Sequence, residues 1–248
     1  MISKRKTYIL LFALLWANFS LAQEKTILNS LDQKAEFYGA ISKLIWSNPE
    51  LGYLETESSE LLQKTLKDAG FSVKTGVADI PTAFVAEFGS GAPVVGIMAE
   101  FDALPGVSQK AVPFREPVVE GGAGHACGHH LFGTASVAAG IAVKDWMQQN
   151  KITGTIRVYG TPAEEGGGGK VYMARAGLME DVDAMLHWHP GSKNDASASS
   201  SLANISTKFR FYGEASHAAA APDRGKSALD GVEAMNFMVN FLSEHVPQ

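Results

Sequence analysis

Cys127 is the only cysteine of the chain, and it lies in the run Gly124-His125-Ala126-Cys127-Gly128-His129-His130. A thiolate beside imidazoles is a donor set for a metal ion. The N-terminus has the pattern of an export signal, described below, and outside the cytoplasm a lone thiol is open to oxidation. With no second cysteine it cannot close an internal disulfide, so metal binding is the reading that gives Cys127 a use.

Carboxylates and further imidazoles follow at regular intervals. Glu164 and Glu165 sit side by side in Gly160-Thr161-Pro162-Ala163-Glu164-Glu165-Gly166-Gly167-Gly168-Gly169-Lys170. Two adjacent carboxylates repel each other, so a positive partner is expected to hold them together. One oxygen ligand on a metal and one free base is the natural division of labour. Read alone, a glutamate pair in a glycine loop is more often a solvated turn. A phosphate-binding loop is excluded, because position 164 is not glycine and Val171 follows the lysine. His187-Trp188-His189-Pro190 adds two more imidazoles. Ala126 stands where a His-Glu-x-x-His zinc helix needs glutamate, and no Gly-x-Ser-x-Gly elbow occurs.

These loops need a frame to bring them together. Apolar spacing predicts helices over 31–46, 56–69 and 131–147, with Gly70 ending the second. Strands are expected from 71, over 82–88, 94–99, 154–159 and 184–188, of which 94–99 is nearly all apolar. This alternation predicts an α/β layered catalytic domain with a mostly parallel central sheet. The cysteine–histidine cluster, the glutamate pair and the His-Pro corner then fall at strand ends, where ligand crevices form. Near Leu202 the pattern changes to an alternating strand over 205–211 and a helix over 227–242, read as the start of an α+β second domain. Cys, His, Glu and His in such loops suit zinc or a transition metal, so the residues point to a metal-assisted hydrolase.

Lys4, Arg5 and Lys6, an apolar run over 8–16 and Ser20-Leu21-Ala22 have the form of a cleavable signal peptide spanning 1–22. The run is too short for a membrane span, so a periplasmic or secreted protein is expected. A net charge of −5, with no basic cluster beyond the signal, argues against nucleic acid as a partner.

Taken together, the chain resembles the dinuclear metal amidohydrolases of the aminoacylase and carboxypeptidase G type. Asn48-Pro49-Glu50-Leu51-Gly52, Ala99-Glu100-Phe101-Asp102-Ala103-Leu104-Pro105-Gly106 and the cysteine and glutamate motifs carry this resemblance. Ser216-His217-Ala218-Ala219 and Gly225-Lys226-Ser227-Ala228-Leu229-Asp230 extend it. It implies two divalent ions, manganese by the resemblance where the soft thiolate favours zinc, with Cys127 bridging them and His129, Glu165 and His189 as further ligands; His187 is the alternate for His189. Glu164 would be the general base, Asp102 would orient a metal ligand, and His217 would polarise the scissile carbonyl from a lid domain. The implied substrates are N-acyl amino acids, aminobenzoyl-glutamate or small dipeptides, and the implied assembly is a homodimer through the lid.

Two departures are visible. His130 stands where relatives carry Asn or Asp, and the resemblance implies a longer lid and a further histidine ligand beyond Gln248. On that basis residues 23–202 are expected to be the N-terminal part of the catalytic domain and 203–248 the beginning of the lid, in a truncated chain with an incomplete metal site and weak or absent activity. The alternatives are a non-catalytic metal- or peptide-binding fragment of the same scaffold and a fragment serving only as a dimerising lid.

Overall fold

A computed structural model describes residues 24–196, 200 and 205–245. The expected signal segment, 1–22, lies outside the described residues. These fall into two compact units that divide after Ala196.

In the first unit a helical stretch over 24–33 leads into α1 (Ala35–Ser47) and α2 (Thr56–Asp68). α2 buries Ser58, Ser59, Leu62, Gln63, Thr65 and Leu66, one face at helical spacing. Its first turn is capped from upstream: the Glu50 carboxylate accepts from the amides of Glu57 (3.0 Å) and Ser58 (2.8 Å). Strands β1 (Ser72–Thr75), β2 (Phe84–Ser90) and β3 (Val94–Ala99) precede the long helix α3 (His129–Asn150). β4 (Gly154–Gly160), α4 (Gly169–Arg175) and β5 (Ala184–Leu186) complete the unit.

The strand order is β1-β2-β4-β3-β5. β4 and β5 both pair parallel with β3, whereas β2 runs antiparallel to its neighbours β1 and β4. Four strands therefore point one way and β2 opposes them, which meets the expectation of an α/β unit with a mostly parallel sheet. Ile45, Leu62, Leu66, Phe84, Phe101, Val137, Ile156 and Val158 form its apolar core.

α3 lies close to the sheet because its contact positions are small. A Cβ on Gly133 would stand 2.6 Å from the Glu100 carbonyl, and one on Gly140 would stand 2.4 Å from Val158. That approach sets His129, at the start of α3, over the loop that follows β3. Gly160 has an equally tight role at the end of β4, opposite Phe84 in the register. A Cβ there would lie 2.1 Å from the Phe84 ring. Gly160→Ala is expected to cost about 1–3 kcal/mol through forced repacking, read as a lower thermal midpoint.

The second unit holds a bridge between Glu214 and Lys226, a short 3₁₀ turn at Pro222–Arg224 and helix α5 (Ala228–Leu242). Ser227 caps α5, its hydroxyl accepting from the Asp230 amide at 3.1 Å. The strand expected over 205–211 does not form; these residues have no strand partner among the described residues and are exposed. Alternation alone does not make a strand without a neighbour to satisfy its amides and carbonyls. β5 also ends earlier than expected, at Leu186, which leaves 187–189 as loop. Among the described residues no helix is long and apolar enough to cross a membrane.

Candidate metal centre

Three loops leave the same edge of the sheet, at the carboxyl ends of its parallel strands. The loop after β3 carries Glu100 and Asp102, the loop after β4 carries Glu164 and Glu165, and His187 and His189 follow β5. Cys127 and His129 arrive with the N-terminus of α3, which begins after Gly128 turns through φ 84°.

His129 is the hub. It has no exposed side-chain surface, and both ring nitrogens face carboxylates. Nδ1 lies 2.9 Å from Asp102 Oδ1 and 3.0 Å from the Asp102 carbonyl, so it carries the proton toward Asp102. Nε2 is directed inward, 3.0 Å from Glu100 Oε2 and 3.9 Å from Glu164 Oε2. Burial alone would lower the imidazole pKa, but hydrogen bonds to Asp102 and Glu100 reverse this and raise it to about 10. Without another cation in place, His129 is itself the positive group between the two carboxylates.

The thiol of Cys127 lies 3.4 Å from His189 Nε2. Together Cys127, His129 and His189 bring one donor atom each within 4.8 Å of one another, as do Glu100, His129 and Glu164. Burial, the adjoining Glu165 carboxylate and the charges of Glu164 and Glu100 push the Cys127 thiol up to about 12. Burial and the same crowding, from Glu100 and Glu165, raise Glu164 above the ordinary carboxylate range. Glu165 Oε1 is buried with no hydrogen-bond partner among the described residues, while the Glu165 amide donates to Asp102 Oδ2 at 2.8 Å. A thiol held protonated by surrounding carboxylates, with a buried carboxylate oxygen left unpaired, is a donor set that fits a divalent cation.

His187 and His189 go to different places. His187 Nε2 approaches Glu100 Oε1 at 3.3 Å and its ring packs edge-on to Phe132, whereas His189 meets Cys127 and lies edge-on to His129. His130, the departure noted in the motif, packs beside His125, their rings 5.2 Å apart. His217 belongs to the second unit, where its Nδ1 accepts from the amides of Ala219 (3.2 Å) and Ala220 (3.1 Å).

Glu100 and Lys170 did not figure among the candidate residues. Glu100 is 2% exposed and pairs with the Lys170 ammonium as well as His129. Burial would raise its pKa, but the His129 hydrogen bond and the Lys170 cation outweigh it and bring it to about 2. The available signal was Glu100-Phe101-Asp102 directly after an apolar strand, where alternation turns both acids the same way and Phe101 into the core.

The chain matches the sequence profile of Peptidase family M20/M25/M40 over residues 96–230. The chain belongs to this family. It is 46% identical over 219 residues to one of the subunits of p-aminobenzoyl-glutamate hydrolase from Escherichia coli (strain K12), covering 88% of this chain and 46% of that protein. It is 32% identical over 235 residues to Xaa-Arg dipeptidase of Homo sapiens, covering 88% of this chain and 50% of the relative. Among solved structures, a dinuclear metal-binding peptidase of the M20 family from Bacillus subtilis superposes with a TM-score of 0.53 at 28% identity. That match covers 63% of this chain and 43% of the other. The chain spans about half the length of the curated relatives it matches. Within the M20 profile fall all the residues that converge on His129, together with His217.

Proposed function

We propose that this protein takes part in metal-dependent hydrolysis of an amide bond in an N-acyl amino acid, aminobenzoyl-glutamate or a small dipeptide. The observation that carries the reading is the meeting of Cys127, His129 and His189 donors, with Glu164 3.9 Å from the inward nitrogen of His129. Hydrolase and dipeptidase relatives support the reaction class. In this reading Cys127, His129, Glu165 and His189 hold up to two divalent ions, manganese or zinc; that the Bacillus subtilis neighbour is a dinuclear metal-binding peptidase supports the number of ions.

Such ions supply Lewis acidity, which acidifies a water and polarises the amide carbonyl. Glu164 would take the proton from that water; its side chain is 45% exposed and so open to solvent. The same carboxyl then returns the proton to the departing amine. Asp102 fixes the tautomer of His129 and, through its other oxygen, the backbone of Glu165. His217 is the proposed partner of the carbonyl oxygen, and dimerisation through the second unit and export by the N-terminal signal complete the proposal.

Metal content of the purified chain tests the reading most directly. After loading with manganese or zinc and removal of excess, close to two ions per chain are expected, and Cys127→Ser should lose them. Metal must displace protons held by Cys127, pushed up to about 12, and His129, raised to about 10. Affinity should therefore rise as pH rises from about 6 to 8, with proton release on binding measurable by calorimetry in two buffers. A chain that retains no ion at any pH in that range would overturn the proposal. Metal retention without amide cleavage would instead favour a non-catalytic binding role.

A further inference from the structure

We propose that Glu55 is a positioning residue whose buried carboxylate holds the Ala163 amide and so sets the loop presenting Glu164 and Glu165. The inference rests on the proposed roles of those two glutamates.

Glu55 immediately precedes α2 and has no exposed surface. Its Oε1 accepts from the Ala163 amide at 2.7 Å, across 108 positions of sequence. Its Oε2 accepts from the Thr82 hydroxyl at 3.1 Å. The Thr82 carbonyl accepts from the Ser59 hydroxyl at 2.7 Å, and Gln63 Nε2 donates to that same hydroxyl oxygen at 2.9 Å. Thr82, Ser59 and Gln63 are all buried. The chain of bonds thus runs from the buried face of α2 to the backbone one residue before Glu164. A buried carboxylate is costly unless its oxygens are hydrogen-bonded, and here both are.

Ala163 needs such a hold. It is fully buried with φ 55°, the left-handed region that a residue with a side chain occupies only under constraint. The space around it has been cleared. A Cβ on Gly52 would stand 3.0 Å from Ala163, and one on Gly167 would stand 2.7 Å from its Cβ. Beyond it, alternate residues are tied down: Asp102 accepts from the Glu165 amide at 2.8 Å, and the Tyr53 hydroxyl donates to the Gly167 carbonyl at 2.7 Å. Glu55, Asp102 and Tyr53 hold positions 163, 165 and 167, and Glu164 between the first two keeps a half-exposed side chain 3.9 Å from His129 Nε2. Asp102 also holds His129, so the loop and the histidine are referred to one carboxylate. Without Glu55, only the first of these ties is lost, and Ala163 is free to leave its strained conformation.

Hydrogen exchange of the metal-free full chain reads this directly, with metal affinity as a second measure. Glu55→Ala should speed exchange over residues 161–169 by roughly tenfold or more while β4 keeps its protection. Its affinity for manganese or zinc should fall by roughly 10–100-fold, the usual effect of removing a group that orients a ligand. Glu55→Gln keeps an acceptor oxygen for Ala163 and should restore most of both. Thr82→Val cuts the other bond of Glu55 and should lower the thermal midpoint without speeding exchange in the loop, which separates positioning from general stability. Should Glu55→Ala not fold, Glu55→Asp withdraws the acceptor and should show the same local loss. Unchanged loop protection in Glu55→Ala or Glu55→Asp, or equal loss in Glu55→Gln, would overturn the inference. If the unmodified chain binds no metal, the metal reading fails, and the exchange data still decide the role of Glu55.

Discussion

His129→Ala should strip the protein of metal and also destabilise its metal-free form by about 3–5 kcal/mol, the usual cost of removing one partner from a buried ion pair. Both effects have one origin. The imidazole is fully buried between Glu100 Oε2 at 3.0 Å and Asp102 Oδ1 at 2.9 Å. Removing it deletes the proposed ligand nitrogen and leaves two buried carboxylates without the cation between them. Lys170 still pairs with Glu100, but among the described residues the Asp102 carboxylate keeps only the Glu165 amide. The pH dependence follows from the raised imidazole pKa, about 10 in the folded protein against about 6.5 in an unfolded chain. A raised folded pKa contributes stability that is fully present below about 6.5 and is lost as pH rises through about 10. The gap between the original protein and His129→Ala, measured by denaturant unfolding with chelator present, should therefore be wide at pH 6 and narrow toward pH 10. Equal stability at pH 6 would mean that His129 is not the charge that balances Glu100 and Asp102.

How far these features could be read in advance depended on how local their causes are. β3 and the body of α3 were visible because their apolar residues follow the period of the element that buries them. Cys127, His129, Glu164, Glu165 and His189 were visible because their neighbours in sequence are themselves informative. The order β1-β2-β4-β3-β5 was not: nothing in residues 154–160 says that β4 enters between β2 and β3, since pairing is decided by partners far along the chain. The expectation of a strand over 205–211 failed for the same reason, as alternation there met no neighbouring strand among the described residues. Glu55 is the sharpest case. It reads as an ordinary acid before a helix, and its significance comes from Ala163, whose left-handed backbone no residue type announces. Glu100 was hidden differently, because its partners His129 and Lys170 each stand at the start of another helix, far along the chain.

Glu164→Gln should leave metal content near that of the original protein and reduce turnover of a cleavable amide by roughly 10²–10⁴-fold, the range expected for loss of a general base. The geometry separates Glu164 from its neighbour. The Glu165 backbone is held by Asp102 and its Oε1 is buried without a partner, as suits a fixed ligand. The Glu164 side chain is 45% exposed and lies 3.9 Å from His129 Nε2, free to meet a water and then the departing amine. Burial and the charges of Glu100 and Glu165 raise its pKa above the ordinary carboxylate range. A base must be deprotonated to act, so activity should rise with pH through that raised value and fall below it. In Glu164→Gln that acidic limb should disappear along with most of the rate, with KM little changed because the amide side chain has nearly the same shape. Glu165→Gln should behave in the opposite way and lose metal first. If Glu164→Gln instead loses metal while Glu165→Gln retains it, the two glutamates exchange roles: the Glu100, His129 and Glu164 donors become the cation site, and the base must be sought in Glu165.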